Sequence, residues 1–411
     1  MQAVILAAGE SSRFWPLNHK HKSLFELMGK PLIFYTIKKL LEIGIKEIII
    51  VQKPNLEIKK ELEKHSFLLK NKIRFLVQEK SEGTGAALKV AEKFLKEKVL
   101  VLNGDDFYLP EDIKKCFSKF PSLLVREVEN PTNFGVIIPE KNFIKEITEK
   151  SQNPQSNLVN AGCYFIPSRV LKEKIERSVR GEYEITDYLR ILARNEKFYF
   201  FKAKEWFSLS FPWDLFPINE YLLKKIKTKI KGKIEKNCQI KKPVIIEEGT
   251  IVKSGSYIEG PVYIGKNCQI GPHCYIRPFT SIGDNCFLGQ AVEIKNSIIR
   301  EGSRISHLSY MGDSIIGKNC NLGAGVILAN LRFDEGNIKS LVKGTWVQTG
   351  RKKFGAAVGE SSKIGVNSSV MPGILIGSNC VVGPHFLVKE NIADNQIFYP
   401  EYQTIVKNKK F

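Results

Sequence analysis

No stretch of this 411-residue chain approaches the roughly 20 consecutive apolar residues needed to cross a bilayer, so no membrane partner is expected. Nor does a basic segment, a long apolar run or a cleavage site precede the first apolar strand, and a cytoplasmic address is the expectation. Cys-x-x-Cys pairs are missing as well. Of the eight cysteines, Cys238, Cys268, Cys286, Cys320 and Cys380 recur in one local phrase, Asn-Cys, without the clustering of soft ligands that a metal needs. They are expected to be small turn fillers. Charge of one sign is not gathered into blocks either. The 63 Lys and Arg, against 43 Asp and Glu, leave a net charge of +20, but the two signs are mixed along the chain. That mixing argues against nucleic acid and for small phosphorylated substrates.

What the chain does have is apolar residue, 43% of it with 10% aromatic, enough to bury two cores over a length that suits two domains. The first, residues 1–225, alternates β-rich runs with helical patterns: strands are predicted at 4–7, 47–51, 73–77 and 99–102, and helices at 32–43 and 84–95. Such alternation predicts an α/β, Rossmann-like domain with a parallel sheet, helices on both faces, and ligands at the carboxyl ends of the strands. From Ile234 the period becomes six. Aliphatic residues stand at Ile234, Ile240, Ile246, Val252, Ile258 and onward to Ile294; the register then slips and resumes at Ile299, at Ile316 and at Val358. A hexapeptide unit pairs a short strand with a tight corner, so three units close one triangular coil with the aliphatic side chains stacked inside. Residues 226–411 are therefore predicted to form a parallel β-helix, with 329–357 protruding as a loop and a basic stretch at 224–233 joining the halves.

The strand at 4–7 runs into "GESSRFWPLNHKHKSLFELMGKP". A glycine turn directly after a strand lets backbone N–H groups approach a triphosphate, with Arg13 and Lys22 nearby to neutralise it. This segment resembles the signature of the sugar nucleotidylyltransferases, in which a Gly-rich turn, Arg, Pro, Lys and Gly-Lys-Pro follow in order. The resemblance implies Ala8 and Gly9 around the nucleotide, Arg13 on the leaving pyrophosphate and Lys22 on the reacting phosphates, with Lys20 as the substitute. Where the family has a second glycine and a threonine this chain has Ser11 and Ser12; where it has a proline before the lysine this chain has His21, with one residue fewer. Further along, "QEKSEGTGAA" implies Gln78, Gly83 and Thr84 at the nucleobase, while "NFGV", "ITEK" and "NAGCY" imply Gly135, Glu149 and Asn160 at the sugar and Lys150 at its phosphate. Asp105 in "LNGDDF" and Asp214 in "FPWDL" are implied as the carboxylates of a Mg²⁺ site, the hard oxygen ligands that this ion prefers. The reaction implied is transfer of a nucleotidyl group from UTP or dTTP to a sugar-1-phosphate.

In the second half, the segment from "IRPFTSIGDNC" to "NLGAGVILAN" resembles the acetyltransferase half of the bifunctional enzymes that make UDP-N-acetylglucosamine, and likeness to hexapeptide-repeat proteins makes the coil left-handed. The resemblance implies Arg277 and Lys295 on the amino sugar's phosphate, His307 as general base, Tyr310 and Asn321 positioning the substrate, and Ala324 offering its backbone to acetyl-CoA. An amine that attacks a thioester must be unprotonated, and histidine titrates near working pH. The loop reads "NLRFDEGNIKSLVKG", which resembles the variant of archaeal relatives that also accept galactosamine-1-phosphate; the resemblance implies Asn330 and Lys339 on the substrate. A homotrimer is implied too, with acetyl sites between neighbouring coils. Two other readings stand beside this one. The chain could be a glucose-1-phosphate thymidylyltransferase or mannose-1-phosphate guanylyltransferase whose coil only oligomerises or regulates, or a non-enzymatic interaction protein like the translation-initiation exchange-factor subunits that share both folds.

Overall fold

The computed structural model describes residues 1–65 and 72–401. By its contacts the chain parts into two compact units: Met1–Ser12, Lys20–Phe25 and Lys30–Ser210 form the first, and Arg13–His19, Glu26–Gly29 and Phe211–Phe411 the second.

The first unit opens with strands β1 (Gln2–Ala7), β2 (Glu47–Gln52), β3 (Lys72–Val77) and β4 (Lys98–Asn103), interleaved with helices α1 (Leu32–Glu42) and α2 (Thr84–Val90). These run parallel in the order β3-β2-β1-β4. Ala3, Ile5, Ile48, Ile50, Leu100 and Leu102 pack on one face with Ile33, Ile37 and Leu40 of α1. Their neighbours Val4, Leu6, Ile49, Val51, Val99 and Val101 pack on the other with Leu88 of α2. A strand buried on both faces reads as an unbroken apolar run, as "VLVLN" and "EIIIVQ" do.

Beyond β4 the expected parallel sheet gives way to a mixed one, which corrects that expectation. Strands β5 (Ser122–Glu127), β6 (Gly135–Glu140), β7 (Phe143–Glu149), β8 (Leu158–Pro167) and β9 (Tyr199–Lys202), with helix α3 (Ile185–Asn195), extend the order to β3-β2-β1-β4-β8-β5-β9-β7-β6. Here β8 is antiparallel to β4 and β5, and β7 to β9 and β6. The sequence argument rested on strands separated by helices, which forces parallel crossovers; β6 and β7 are joined by a tight turn, which forces the antiparallel arrangement. Because the chain steps from β1 outward to β3 and then returns to β4 on the other side of β1, the carboxyl ends of β1 and β4 flank the switch point where such sheets bind ligands.

In the second unit helix α4 (Leu215–Lys224) leads into three parallel sheets of eight, nine and eight short strands among the described residues. The coil starts earlier than the period suggested: Lys229–Ile230 already pairs with Ile245–Ile246, so part of the basic stretch at 224–233 is the first rung and not a linker. Ile234, Val252, Ile270 and Leu288 then stack in register, one coil apart, on one face of a left-handed parallel β-helix. The aliphatic column from Ile246 to Val388 is buried as expected. Each Asn-Cys phrase is a corner. Asn267, Asn285, Asn319 and Asn379 adopt positive φ (54°, 58°, 56° and 55°), a conformation Asn tolerates better than other side chains. The following cysteines turn inward: Cys268, Cys286 and Cys320 donate to Gly283, Arg300 and Gly359 carbonyls at 3.1, 3.2 and 3.0 Å. The coil is interrupted where expected, by a hairpin of Lys339–Val342 and Thr345–Gln348, and resumes at Ala356–Val358.

Candidate active sites

At the switch point of the first unit an open cleft of about 250 Å³ is lined by Ala8, Gly9, Glu10, His21, Gln78, Gly83, Thr84, Asn103, Asp105 and Glu182, among others. Five residues expected at the nucleotide, Ala8, Gly9, Gln78, Gly83 and Thr84, therefore meet in one place with Asp105, expected at the metal. Gly83 has φ +100°, and a methyl there would stand 2.5 Å from the Tyr183 carbonyl, so only glycine suits this wall of the cleft. Gln78 is buried and donates to the Gly83 carbonyl at 3.2 Å.

Lys22 reaches the same place from a separate loop. Its backbone N–H donates to Ser11 Oγ at 3.1 Å, and its ammonium lies 2.5 Å from Asp105 Oδ2 while donating to the Leu209 carbonyl at 2.5 Å. Burial works to raise the Asp105 carboxyl, but the Lys22 ammonium overrides it and holds the group below the usual carboxylate range. Asp106 next door is pushed up to about 7 by burial and by the charge of Asp105. Of two adjacent carboxylates, the one facing the cleft is thus favoured in its charged form and its neighbour is pushed toward the protonated one.

Three sugar-site candidates also converge. A methyl on Gly135 would lie 3.1 Å from Glu149 Oε2 and 3.6 Å from Asn160 Cβ. Lys150 follows directly and donates its N–H to the Phe134 carbonyl at 3.0 Å. Burial, with Glu184 adding to it, raises the Glu149 carboxyl. Arg13 and Asp214 are counted with the second unit: the exposed Arg13 guanidinium lies 5.6 Å over the Phe211 ring, and Asp214 Oδ2 accepts from the Phe211 N–H at 2.7 Å, capping its own turn.

On one face of the coil successive turns bring Arg277, Lys295, Tyr310 and Asn330 together. Arg277 pairs with Glu293 at 2.9 Å. Lys295 pairs at 3.1 Å with Asp313, which also accepts from Asn296 at 2.6 Å and Asn330 at 2.5 Å and has Arg351 at 3.9 Å. Gly312 keeps this floor open, since a methyl there would meet Tyr310 Oη at 2.6 Å and Asn330 Nδ2 at 2.5 Å. His307 stands at the adjoining corner with its side chain exposed; its carbonyl is pinned by Ser309 Oγ at 2.7 Å and Gly325 N at 2.9 Å. The space beside the ring comes from Gly289, where a methyl would sit 1.5 Å from the Ser306 carbonyl and 3.1 Å from His307 Nδ1. Ala324 adjoins Gly325 at the same corner one coil on. Two candidates stand apart. Asn321 belongs to a different sheet from Tyr310, paired with Arg304 and Lys363, and Lys339 lies on the hairpin with its backbone against Gly373.

Comparison with known proteins finds three family models along the chain. A nucleotidyl transferase family model matches residues 2–225, a GMPPB C-terminal domain model residues 258–352, and a hexapeptide repeat of succinyl-transferase model residues 355–383. The bifunctional protein GlmU of Methanocaldococcus jannaschii is 42% identical over 100% of both chains. The chain belongs to the bifunctional GlmU family. A bifunctional sugar-1-phosphate nucleotidylyltransferase/acetyltransferase from Sulfurisphaera tokodaii is 38% identical over 97% of this chain and 100% of its own. Among solved structures, a putative glucose-1-phosphate thymidylyltransferase from Bacillus anthracis has a TM-score of 0.50 at 24% identity, over 56% of this chain and 97% of that one, a likeness of fold alone.

Motif reading of this GlmU-family chain missed three features. His21 entered it only as the replacement of a proline, yet the ring lines the cleft. Asp313, the buried carboxylate that gathers Lys295 and Asn330, left a signal in being a charged residue at a coil corner where Ser and Asn prevail. Arg180, in the loop before α3, pairs with Glu149 and Glu184 and left no signal, because its role arises only when that loop folds back over β7.

Proposed function

We propose that the chain is a bifunctional transferase. Residues 226–411 acetylate glucosamine-1-phosphate, with galactosamine-1-phosphate as a second acceptor, using acetyl-CoA; residues 1–225 transfer a uridylyl or thymidylyl group from UTP or dTTP to the sugar-1-phosphate with release of pyrophosphate. The observation that carries this reading is a full-length match to chains named bifunctional, in which neither half is missing.

In the first half Ala8 and Gly9 would hold the triphosphate, Arg13 and Lys22 the charge of its reacting and leaving groups, Gln78, Gly83 and Thr84 the base, Gly135, Glu149 and Asn160 the sugar, and Lys150 its phosphate. The donor set suits Mg²⁺: Asp105 faces the cleft with its carboxyl held below the usual range by Lys22, and this ion takes one or two carboxylates and completes its shell with phosphate oxygens and water. Asp105 and Asp214 would hold it, and it would supply charge neutralisation at the phosphates. The Lys22 ammonium, held at Asp105, stands ready to move onto a phosphate oxygen once the carboxylate has another cation to pair with.

In the second half Arg277, Lys295, Asn330 and Lys339 would seat the amino sugar's phosphate and ring, Tyr310 and Asn321 orient it, and His307 take the proton from the attacking amine. The exposed ring of His307 supports that role, because a general base must reach substrate. Ala324 would offer its backbone to acetyl-CoA. We read the chain as a cytoplasmic homotrimer: Leu308, 67% exposed beside His307, and Val366, 42% exposed, are apolar side chains left uncovered on the coil, as a neighbouring coil would require. Among the described residues no helix is long and apolar enough to cross a membrane.

The deciding experiment supplies purified protein with UTP or dTTP and each of four sugar phosphates, with and without acetyl-CoA. Release of both pyrophosphate and CoA supports the reading; pyrophosphate release with no CoA turnover on either amino sugar leaves a nucleotidylyltransferase whose coil only assembles it.

A further inference from the structure

The nucleotide cleft contains a buried imidazole that the reading above does not use. His21 is 5% exposed, lines the cleft, and its Nε2 is the atom nearest to where a side chain on Gly9 would begin, at 4.0 Å. The rest of the residue is fixed. Its backbone N–H donates to Glu57 Oε1 at 3.0 Å, and Nδ1 accepts the Ser23 backbone N–H at 3.3 Å, with Ser23 Oγ at 2.7 Å. A ring whose Nδ1 accepts a backbone N–H carries its proton on Nε2 when neutral. The ring, held at Nδ1 by Ser23, therefore presents an N–H donor toward the turn at Gly9.

We propose that His21 Nε2–H donates a hydrogen bond to a phosphate oxygen of the nucleoside triphosphate seated in the Gly9 turn. The inference rests on the nucleotidylyl-transfer reading of this cleft. A neutral donor suits the position, because the ammoniums of Lys22 and Lys53 already charge its surroundings, and burial leaves the imidazole uncharged at neutral pH. It contributes a directed hydrogen bond to an anion without competing with a metal ion for the same oxygen. The short loop is part of the device. The backbone of Lys22 is tied to Ser11 Oγ, so the ring is drawn against the glycine turn.

Two substitutions separate the ring's two nitrogens. In His21→Asn the amide oxygen takes the place of Nδ1 and the Nε2 donor is lost; in His21→Gln the amide nitrogen takes the place of Nε2 and the donor is kept. Steady-state kinetics of pyrophosphate release should show His21→Asn raising KM for UTP or dTTP about tenfold, the size expected for one hydrogen bond to a charged group, with His21→Gln within about threefold of wild type. KM for the sugar phosphate should change less than about twofold in both. A merely structural role would move both KM values and the melting temperature in both variants alike, and that result would overturn the proposal, as would an unchanged nucleotide KM in His21→Asn. Calorimetric titration of UTP into the unmutated protein, followed by ¹⁵N spectra of its histidine rings, decides the matter even where a variant does not fold. The protonated Nε2 resonance of His21 shifts on binding if the contact forms, and bound UTP with no shift refutes it. Wild-type protein that binds UTP but releases no pyrophosphate with any sugar phosphate overturns the functional reading and leaves the contact standing.

Discussion

The cleft of the α/β unit and the polar cluster on the coil around Lys295, Asp313 and Asn330 are assembled by opposite means. The cleft draws Gly9 and His21, Gln78 and Thr84, Asp105, and Glu182 from four segments that the sheet order brings together. On the coil, Lys295 stands opposite Gly312, and Asp313 and Asn330 meet one turn further on, because each turn places the next residue of the set directly above the last. A repeat fold converts sequence period into proximity, so its site can be read off as positions one coil apart; a doubly wound sheet converts topology into proximity, and its site is legible only at the strand ends.

The sharpest way to break this comparison is to remove one group from each site and measure both reactions. Asp105→Asn is expected to lower pyrophosphate release by about 10³-fold, the loss that follows from removing one preorganised electrostatic group, and to leave CoA release within about twofold. His307→Ala should show the mirror image, with CoA release down by about 10³-fold and pyrophosphate release from UTP and N-acetylglucosamine-1-phosphate intact. If either variant damages both reactions while its melting curve matches wild type, the sites are not independent.

The two units should also answer acid differently. Burial, aided by Lys22 and Lys53 and opposed by Asp105, lowers the His21 imidazole from 6.5 to about 4. Because the folded protein refuses a proton that the unfolded chain takes up near 6.5, this contribution to stability is complete above that pH and is lost as pH falls toward 4. Its size is roughly 3 kcal/mol. Thermal unfolding of the first unit should therefore lose stability between pH 7 and 5, and His21→Gln should lose markedly less over the same interval. Equal slopes in the two proteins would mean that the ring is not held neutral in the folded state.

How much of this was legible beforehand follows the same division. In the coil the aliphatic column, the slips in register and the interruption all stood in the sequence, because every sixth side chain has only one place to go. The first rung at Lys229–Ile230 escaped notice since Ile230 stands four residues before Ile234, outside the period of six. In the α/β unit the four parallel strands and the cleft they frame were predictable from apolar runs separated by helices. The antiparallel half was not. Phe143–Glu149 buries only Ile144 and Ile147, and the ten residues of Leu158–Pro167 are buried with scarcely a break, so neither strand shows the alternation by which a half-exposed strand declares itself. His21 and Arg180 lay hidden for a different reason. Both act through loops, whose partners depend on where the loop comes to rest.

The smallest effect tests whether the Asn-Cys corners are a conformational requirement of the coil and not a ligand set. Asn285 has φ 58°, and its N–H donates to the Lys266 carbonyl at 2.7 Å, so backbone pairing between coils depends on this residue holding a left-handed conformation. Alanine in that conformation costs about 1 kcal/mol relative to asparagine, whereas glycine adopts it without steric strain. Asn285→Ala should therefore shift the urea midpoint of the coil by about 1 kcal/mol of stability, and Asn285→Gly by less than about half as much. Neither substitution should alter acetyl transfer, because Asn285 lies on a different corner of the coil from His307. If glycine proves as costly as alanine, the side-chain ladder between Asn267 and Asn285, 3.5 Å apart, and not the backbone, holds the corner.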